Sequence, residues 1–218
     1  RAASGAEPGV ALTAAPRPDG ISGASRRAAL GVGWSFVAIA LVQIADLVVA
    51  NARLEESVAG GFGAVSALGG AAAFATATVP LVLLPASARG DAAARRVALQ
   101  LALATGTAIT IVGLVAADPI LTLAAGDGLA GAAPWLGPYL MAMSALGVAR
   151  VQVATRWTQG DGAFAGKAVA IAALAQVVGQ LALGTTVAAV VMCTLAVTVG
   201  LSVALAFGPA PAAARAAG

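Results

Sequence analysis

The chain has 218 residues, of which 60% are hydrophobic and 10% are charged, with a formal net charge of +3 and no histidine. Soluble domains are about 45–50% apolar and about 25% charged, so this composition is typical of an integral membrane protein. The absence of histidine excludes His-based catalysis and the usual zinc sites, and the single Cys193 has no partner for an intrachain disulfide. We expect no metal site, no cofactor and no enzymatic activity.

Six apolar runs predict the helices, at about 28–50, 58–86, 97–117, 132–149, 166–183 and 186–207. Their lengths of roughly 18–29 residues bracket the ~20 residues that a helix needs to cross a ~30 Å hydrocarbon core. The fold predicted is all-α, a polytopic membrane bundle of six transmembrane helices. The alternative, a soluble Ala-rich bundle, needs a polar face on each helix, which these runs lack.

The basic residues alternate between the connecting segments. Eleven of the twelve Lys and Arg residues fall on one side of the predicted spans, and Arg53 alone falls on the other. The positive-inside rule therefore places both termini in the cytoplasm. The basic residues are spread over several segments without interleaved aromatic residues, so they indicate contact with the lipid bilayer and not with nucleic acid.

The composition changes near residue 26, which suggests three parts. Residues 1–26 are rich in Pro, Gly and Ala and predict a disordered tail or a linker between two lobes. Residues 27–208 form one six-helix transmembrane domain, and residues 209–218 a cytoplasmic tail. Because the chain begins with Arg and not Met, we expect it to be incomplete, and a linker here would follow other spans.

The first span contains Asp46, with Gln43 three positions earlier on the same helical face. A charge inside the membrane is costly, by at least ~2.5–3.5 kcal/mol, so it usually faces a cavity or a partner. Asp46 lies about four residues, or ~6 Å, from the predicted outer end of the span. Two interpretations stay open: a polar cavity shared with Gln43, or an interfacial carboxylate that reaches the outer water.

The second span opens with glycines that should allow close helix packing, namely Gly60, Gly61, Gly63, Gly69 and Gly70. Pro80 predicts a kink in its inner half, and Pro85 predicts its end. The bend is either static or a moving hinge.

The loop before the fourth span predicts a short interfacial helix over Pro119–Ala125, capped by Asp118 and stopped by Gly126. Trp135 and Tyr139, which open the fourth span, are predicted anchors at the outer interface.

Polar residues inside or beside the spans are candidates for a substrate or ion pathway. Arg150 and Arg156, near the inner end of the fourth span, either anchor the helix or contact anionic groups of a substrate. The fifth span presents two glutamines one turn apart. The full set of pathway candidates is Gln43, Asp46, Arg53, Gln100, Arg150, Gln152, Arg156, Gln176 and Gln180, and the candidate hinge residues are Pro80 and Pro85.

Several local patterns follow one another in a recognisable order. Asp46 lies near the outer end of the first span, Ala59–Gly60 starts the second, and Pro85 is at its inner end. A segment before the fourth span contains Pro119, Ile120, Leu121, Leu123 and Gly126. In order and spacing, the chain resembles the C-terminal half of a polysaccharide flippase of the multidrug/oligosaccharidyl-lipid/polysaccharide exporter superfamily.

The resemblance implies one lobe of a two-lobe transporter in a bacterial inner membrane, which carries a lipid-linked saccharide between leaflets by alternating access. Its partner would be a missing N-terminal lobe or a second chain. Gln43, Asp46 and Arg53 would lie near the outer mouth, and Arg150 and Arg156 would meet pyrophosphate near the inner leaflet. The alternatives are a peptidoglycan lipid-precursor flippase, a drug exporter of the same superfamily, and a non-transporting scaffold of a polysaccharide-assembly complex.

Overall fold

The computed structural model describes residues 23–82, 85–86, 89, 91–126 and 131–209. Within these residues the fold is all-α, as predicted. Its helices are α1 (Gly23–Arg53), α2 (Glu56–Leu81), α3 (Ala92–Val115), α4 (Ala117–Ala125), α5 (Ala133–Thr158), α6 (Gly162–Leu183) and α7 (Val187–Phe207).

Five of these helices are long and apolar enough to cross a membrane: α1 (from Leu30), α2 (to Thr78), α3, α6 and α7. They identify a multi-pass membrane protein. Helix α5, the predicted fourth span, has 26 residues and is ~39 Å long, but its sequence is more polar. Its C-terminal half carries Arg150, Gln152 and Arg156.

The central position of α5 accounts for this polarity. It packs extensively against α2, α3 and α7, while α1 packs mainly on α6, and α6 on α7. Most of its side chains are buried, among them Leu136, Met143 and Leu146. The apolar helices around it expose large side chains such as Phe74 and Ile171 to the surroundings. The outer helices thus supply the lipid-facing surface, and α5 can carry polar groups inward.

Small residues bring α2 and α5 into close contact. A Cβ atom at Gly69 would lie 2.2 Å from Cε1 of Tyr139, so only glycine leaves room for that ring. On the facing helix, a Cβ at Gly147 would lie within 2.9 Å of α2 backbone. The predicted role in close packing is confirmed for Gly69, whereas Gly60 and Gly63 face open space.

Helix α2 ends at Leu81, before Pro85, so the prediction that Pro85 ends this helix is wrong. Pro80 already lies in the last turn and removes one of its hydrogen bonds, which favours termination there. The kink predicted in the inner half therefore falls at the very end of the helix. The hinge role of Pro80 and Pro85 stays a prediction.

The short helix predicted before the fourth span is confirmed as α4, which begins at Ala117 and ends before Gly126, a glycine with a φ of 87°. Its location at the membrane interface stays a prediction. Asp118 lies in its first turn, so the prediction that it caps the helix is wrong. The residue at the cap position is Ala116, whose side chain cannot accept a hydrogen bond.

The ends of the predicted domain fall mostly outside the description. Residues 1–22 of the predicted tail and residues 210–218 of the predicted C-terminal tail lie outside the described residues. Helix α1 begins at Gly23, so the predicted boundary at residue 26 falls inside this helix.

Candidate functional site in the helix bundle

Asp46 lies at the centre of a buried polar cluster and is 0% exposed. Its Oδ2 atom accepts a hydrogen bond from the Tyr139 hydroxyl at 2.6 Å and one from Thr194 Oγ1 at 3.4 Å. Its Oδ1 atom accepts from the backbone N–H of Leu47 at 2.6 Å. Helix α1 continues to Arg53, about 10 Å beyond Asp46. The interpretation that Asp46 reaches the outer water is therefore wrong.

Thr194 connects this carboxyl group to the two glutamines of α6. Gln176 Nε2 and Gln180 Nε2 donate to Thr194 Oγ1 at 2.9 and 3.0 Å, and Gln180 Nε2 also donates to the Val190 carbonyl at 3.0 Å. Both glutamines are 0% exposed, on the single helical face that their spacing indicates. Their Oε1 atoms are buried and have no hydrogen-bond partner among the described residues.

Helices α1, α2, α5, α6 and α7 all contribute to the cluster, since Ser66 of α2 lies 3.3 Å from the Tyr139 hydroxyl. In the described part of the chain, no basic side chain pairs with Asp46, because the single ion pair there joins Arg156 and Asp161. The described residues also contain no group of three or more His, Cys, Asp or Glu side chains able to hold a metal ion. A lone buried carboxyl group among oxygen atoms can take up and release a proton or a small cation.

A groove of about 590 Å³ lies between α1, α2 and α5. Apolar side chains such as Phe36, Ile39 and Phe74 form most of its wall, and Arg150 is the one charged residue among the described residues that line it. Arg150 is half-buried and donates from Nη2 to Oε1 of Gln43. A guanidinium group in this position is suited to bind a phosphate bidentately.

Gln43 and Asp46 therefore lie on one helix, but their side chains contact different groups of residues. Asp46 is enclosed in the cluster, whereas Gln43 is directed to Arg150 at the groove. The polar pair predicted for this helix face is thus divided between two sites, one turn apart.

Arg156 makes the contacts of a helix cap. Its Nε and Nη2 atoms donate to the Leu205 carbonyl at 3.1 and 2.8 Å, and Nη1 donates to the Pro209 carbonyl at 3.1 Å. Nη1 also pairs with Asp161 at 2.5 Å, and the guanidinium lies 4.6 Å from the centre of the Phe164 ring. With 7% exposure, Arg156 holds the end of α7 and does not line the groove of Arg150.

The remaining pathway candidates lie apart from the cluster. Arg53 is exposed at the end of α1, and Gln100 is exposed on α3. Gln152 is half-buried at a different groove, between α3 and α5. None of these three contacts Asp46 or Arg150.

Ser66, Tyr139 and Thr194 are the cluster residues that the sequence did not indicate. Tyr139 was expected at the outer interface, but it is 0% exposed, because Gly69 lets its ring pack between α2 and α5. Thr194 and Thr198 lie one turn apart in the last span, and this spacing was the available signal for an inward polar face.

Comparison with known proteins gives no match: no family model, no curated protein and no solved structure is significantly similar to the chain. The class that the fold itself defines is a multi-pass membrane helix bundle with a buried polar cluster.

Proposed function

We propose that the chain is one lobe of a membrane transporter that moves a lipid-linked saccharide across a bacterial inner membrane by alternating access. The observation that carries this proposal is the arrangement on α1. This helix places Asp46 in the enclosed cluster, and one turn away it places Gln43 in a hydrogen bond with Arg150 of the groove. A change of proton or cation occupancy at Asp46 is then transmitted to Arg150 by a single helix.

The lining of the groove fits the two parts of such a substrate. Its apolar wall suits a lipid chain, and Arg150 suits a phosphate. In the described residues no carboxylate pairs with Arg150. An unpaired arginine inside a membrane costs at least ~2.5–3.5 kcal/mol on insertion scales, and an anionic ligand would offset this cost.

The packing supports movement at this groove. Helix α1 contacts α6 extensively but α2 only slightly and α5 least. Separation of α1 from α2 therefore disrupts few contacts. In the proposed transporter α5 is the fourth of six spans, both termini are cytoplasmic, and a second lobe closes the other side of the groove.

The function is tested in the cells from which the chain comes, with variants expressed from the native gene. Asp46→Asn and Arg150→Gln should each abolish the export of surface polysaccharide at normal protein level. Asp118→Asn, on the exposed side of α4, is the matched control and should leave export unchanged. Normal surface polysaccharide with Asp46→Asn and Arg150→Gln would refute the proposal.

A non-transporting scaffold is the second candidate, because the cluster is fully enclosed and Arg156 acts as a cap. In a scaffold these polar groups serve packing alone. Asp46→Asn, which keeps the shape of the side chain, would then leave export intact. A transporter loses export with this same variant, so one measurement separates the two candidates.

The proposed orientation is tested with single cysteines in a Cys193→Ser background. A cysteine at the exposed Ser57 should react with a membrane-impermeant maleimide in intact spheroplasts. A cysteine at the exposed Ala93 should react only after the membrane is permeabilised. The opposite labelling pattern would reverse the orientation, and labelling of both sites from outside would contradict the six-span topology.

A further inference from the structure

A second groove, of about 470 Å³, lies at the predicted cytoplasmic end of the bundle, between α3, α5 and the end of α7. Its lining includes polar residues, among them Arg95, Arg96 and Gln152, and apolar residues, among them Leu99 and Leu205. It shares no lining residue with the groove of Arg150.

The groove carries a positive charge that the surrounding protein does not neutralise. Arg95 and Arg96 lie near the N-terminus of α3, where the helix dipole disfavours cations. Neither forms an ion pair within the described residues, and the carboxylate of Asp91 is engaged at the N-cap with the N–H groups of residues 93 and 94, at 2.9 and 3.0 Å. The third arginine in the wall, Arg156, is already paired with Asp161.

Gln152 adds an independent polar feature to the same groove. Its Oε1 atom is buried and has no hydrogen-bond partner among the described residues. The two arginines are suited to bind a phosphate, and Gln152 is a further polar residue of the lining.

The apolar residues of the lining indicate that the ligand carries a hydrocarbon chain. Leu99 lies one turn further into α3 than Arg95, on the side that leads toward the membrane interior, and Val151 lies next to Gln152 on α5. A phosphate at the arginines is thus continuous with an apolar surface. Basic pockets between helices at the cytoplasmic face are typical binding sites of anionic lipid headgroups.

We propose that this groove binds the headgroup of an anionic phospholipid, of the phosphatidylglycerol type, in the cytoplasmic leaflet. The lipid remains bound beside α3 and is not the cargo. The proposal goes beyond the transport function, because it requires only that the bundle lies in a membrane with this end toward the cytoplasm.

The test uses the purified full chain in nanodiscs that contain phosphatidylcholine with or without phosphatidylglycerol. Native mass spectrometry counts the phosphatidylglycerol molecules that the protein retains. The double variant Arg95→Gln/Arg96→Gln should bind about thirty-fold more weakly, since each arginine near the surface contributes about fivefold. The matched control is Arg53→Gln, at the opposite end of the bundle, which should retain the lipid normally.

Two further variants keep the charge that orients the helices. Arg95→Lys/Arg96→Lys should bind between the native chain and the Gln variant, because lysine cannot form the bidentate contact. Gln152→Leu should bind about fivefold more weakly through loss of one hydrogen bond. Native retention by both of these variants would overturn the proposal, even if the Gln variant fails to insert.

Competitors distinguish the possible sources of the phosphate. Glycerol phosphate without acyl chains should displace the lipid poorly, because it lacks the apolar contacts. Full displacement by millimolar glycerol phosphate would show a soluble-anion site and overturn the lipid assignment. Displacement by a prenyl pyrophosphate at equal concentration would show a cargo site and would also overturn it.

Discussion

Thr194→Val removes the hydroxyl group that links α1, α6 and α7 and should destabilise the bundle. Thr194 Oγ1 accepts from Gln176 and Gln180 and lies within hydrogen-bond distance of Asp46. Valine has nearly the same shape, so packing is kept while the two interhelical hydrogen bonds from the glutamines are lost. The single Thr194 proton lies closer to the Val190 carbonyl of its own helix, at 3.0 Å, than to Asp46, at 3.4 Å. Interhelical bonds average about 0.6 kcal/mol each in membrane bundles, which gives ~1 kcal/mol for the two.

The hydrogen-bond partners that remain after the substitution decide how much further the free energy of unfolding falls. Gln180 keeps its bond to the Val190 carbonyl, and Asp46 keeps its bond to Tyr139. Gln176 keeps no hydrogen-bond partner in the described residues, and a buried unsatisfied donor costs about 1–3 kcal/mol. We therefore expect the free energy of unfolding to fall by about 2–3 kcal/mol.

Thr198→Val is the matched control, one turn further along α7 and equally buried. The Thr198 hydroxyl donates only within its own helix, to the Thr194 carbonyl at 2.8 Å and more weakly to that of Leu195. Its replacement should cost less than about 0.6 kcal/mol, because no interhelical bond is lost. The measurement is reversible unfolding of the purified chain in mild detergent micelles. Equal destabilisation by the two variants would refute the role of the cluster.

Two other variants test the contacts that hold the ends and the centre of the bundle. Arg156→Gln should lower the free energy of unfolding by about 3–5 kcal/mol, since it leaves Asp161 buried without its partner. Thermal unfolding in micelles should show a clearly lower melting temperature for this variant and an unchanged one for Arg96→Gln, at an exposed position. Equal melting temperatures of the two variants would contradict the role of Arg156 as a cap. Gly69→Leu should separate α2 from α5 because its Cβ would lie 2.2 Å from the Tyr139 ring, whereas a side chain at Gly63 points into open space. Limited proteolysis should therefore cleave Gly69→Leu faster than the control Gly63→Leu. Equal protease resistance of the two variants would show that the close contact is not needed.

The helices were largely predictable because hydropathy and length act locally along the chain. The six predicted runs correspond to α1, α2, α3, α5, α6 and α7, and the short helix predicted before α5 is present as α4. The errors lie at the ends. Asp118 lies in the first turn of α4 and not at its cap, and Pro80, not Pro85, lies at the end of α2. Helix ends depend on which neighbouring groups form hydrogen bonds with the free backbone N–H and C=O groups there.

The candidate site was only partly predictable. The spacing of Gln176 and Gln180 correctly indicated one inward face, but their common partner, Thr194, lies on another helix. One of the two interpretations left open by the sequence placed Gln43 and Asp46 in a shared polar cavity. A separation of three residues turns the helix by about 300°, so the two side chains diverge enough to enter different contacts.

The sequence by itself determined that this is a multi-pass helical membrane protein, where its helices lie, and which of them carry polar groups. Only the tertiary structure decided which face of each helix is turned inward and that α5, flanked by α2, α3 and α7, lies at the centre. The physical reason is that the helices are apolar on nearly every side. Lipid and protein interior are equally apolar, so side-chain packing and interhelical hydrogen bonds, and not hydrophobicity, set the rotation of each helix. Those contacts enclose Asp46 with Tyr139 and Thr194 and direct Gln43 to Arg150.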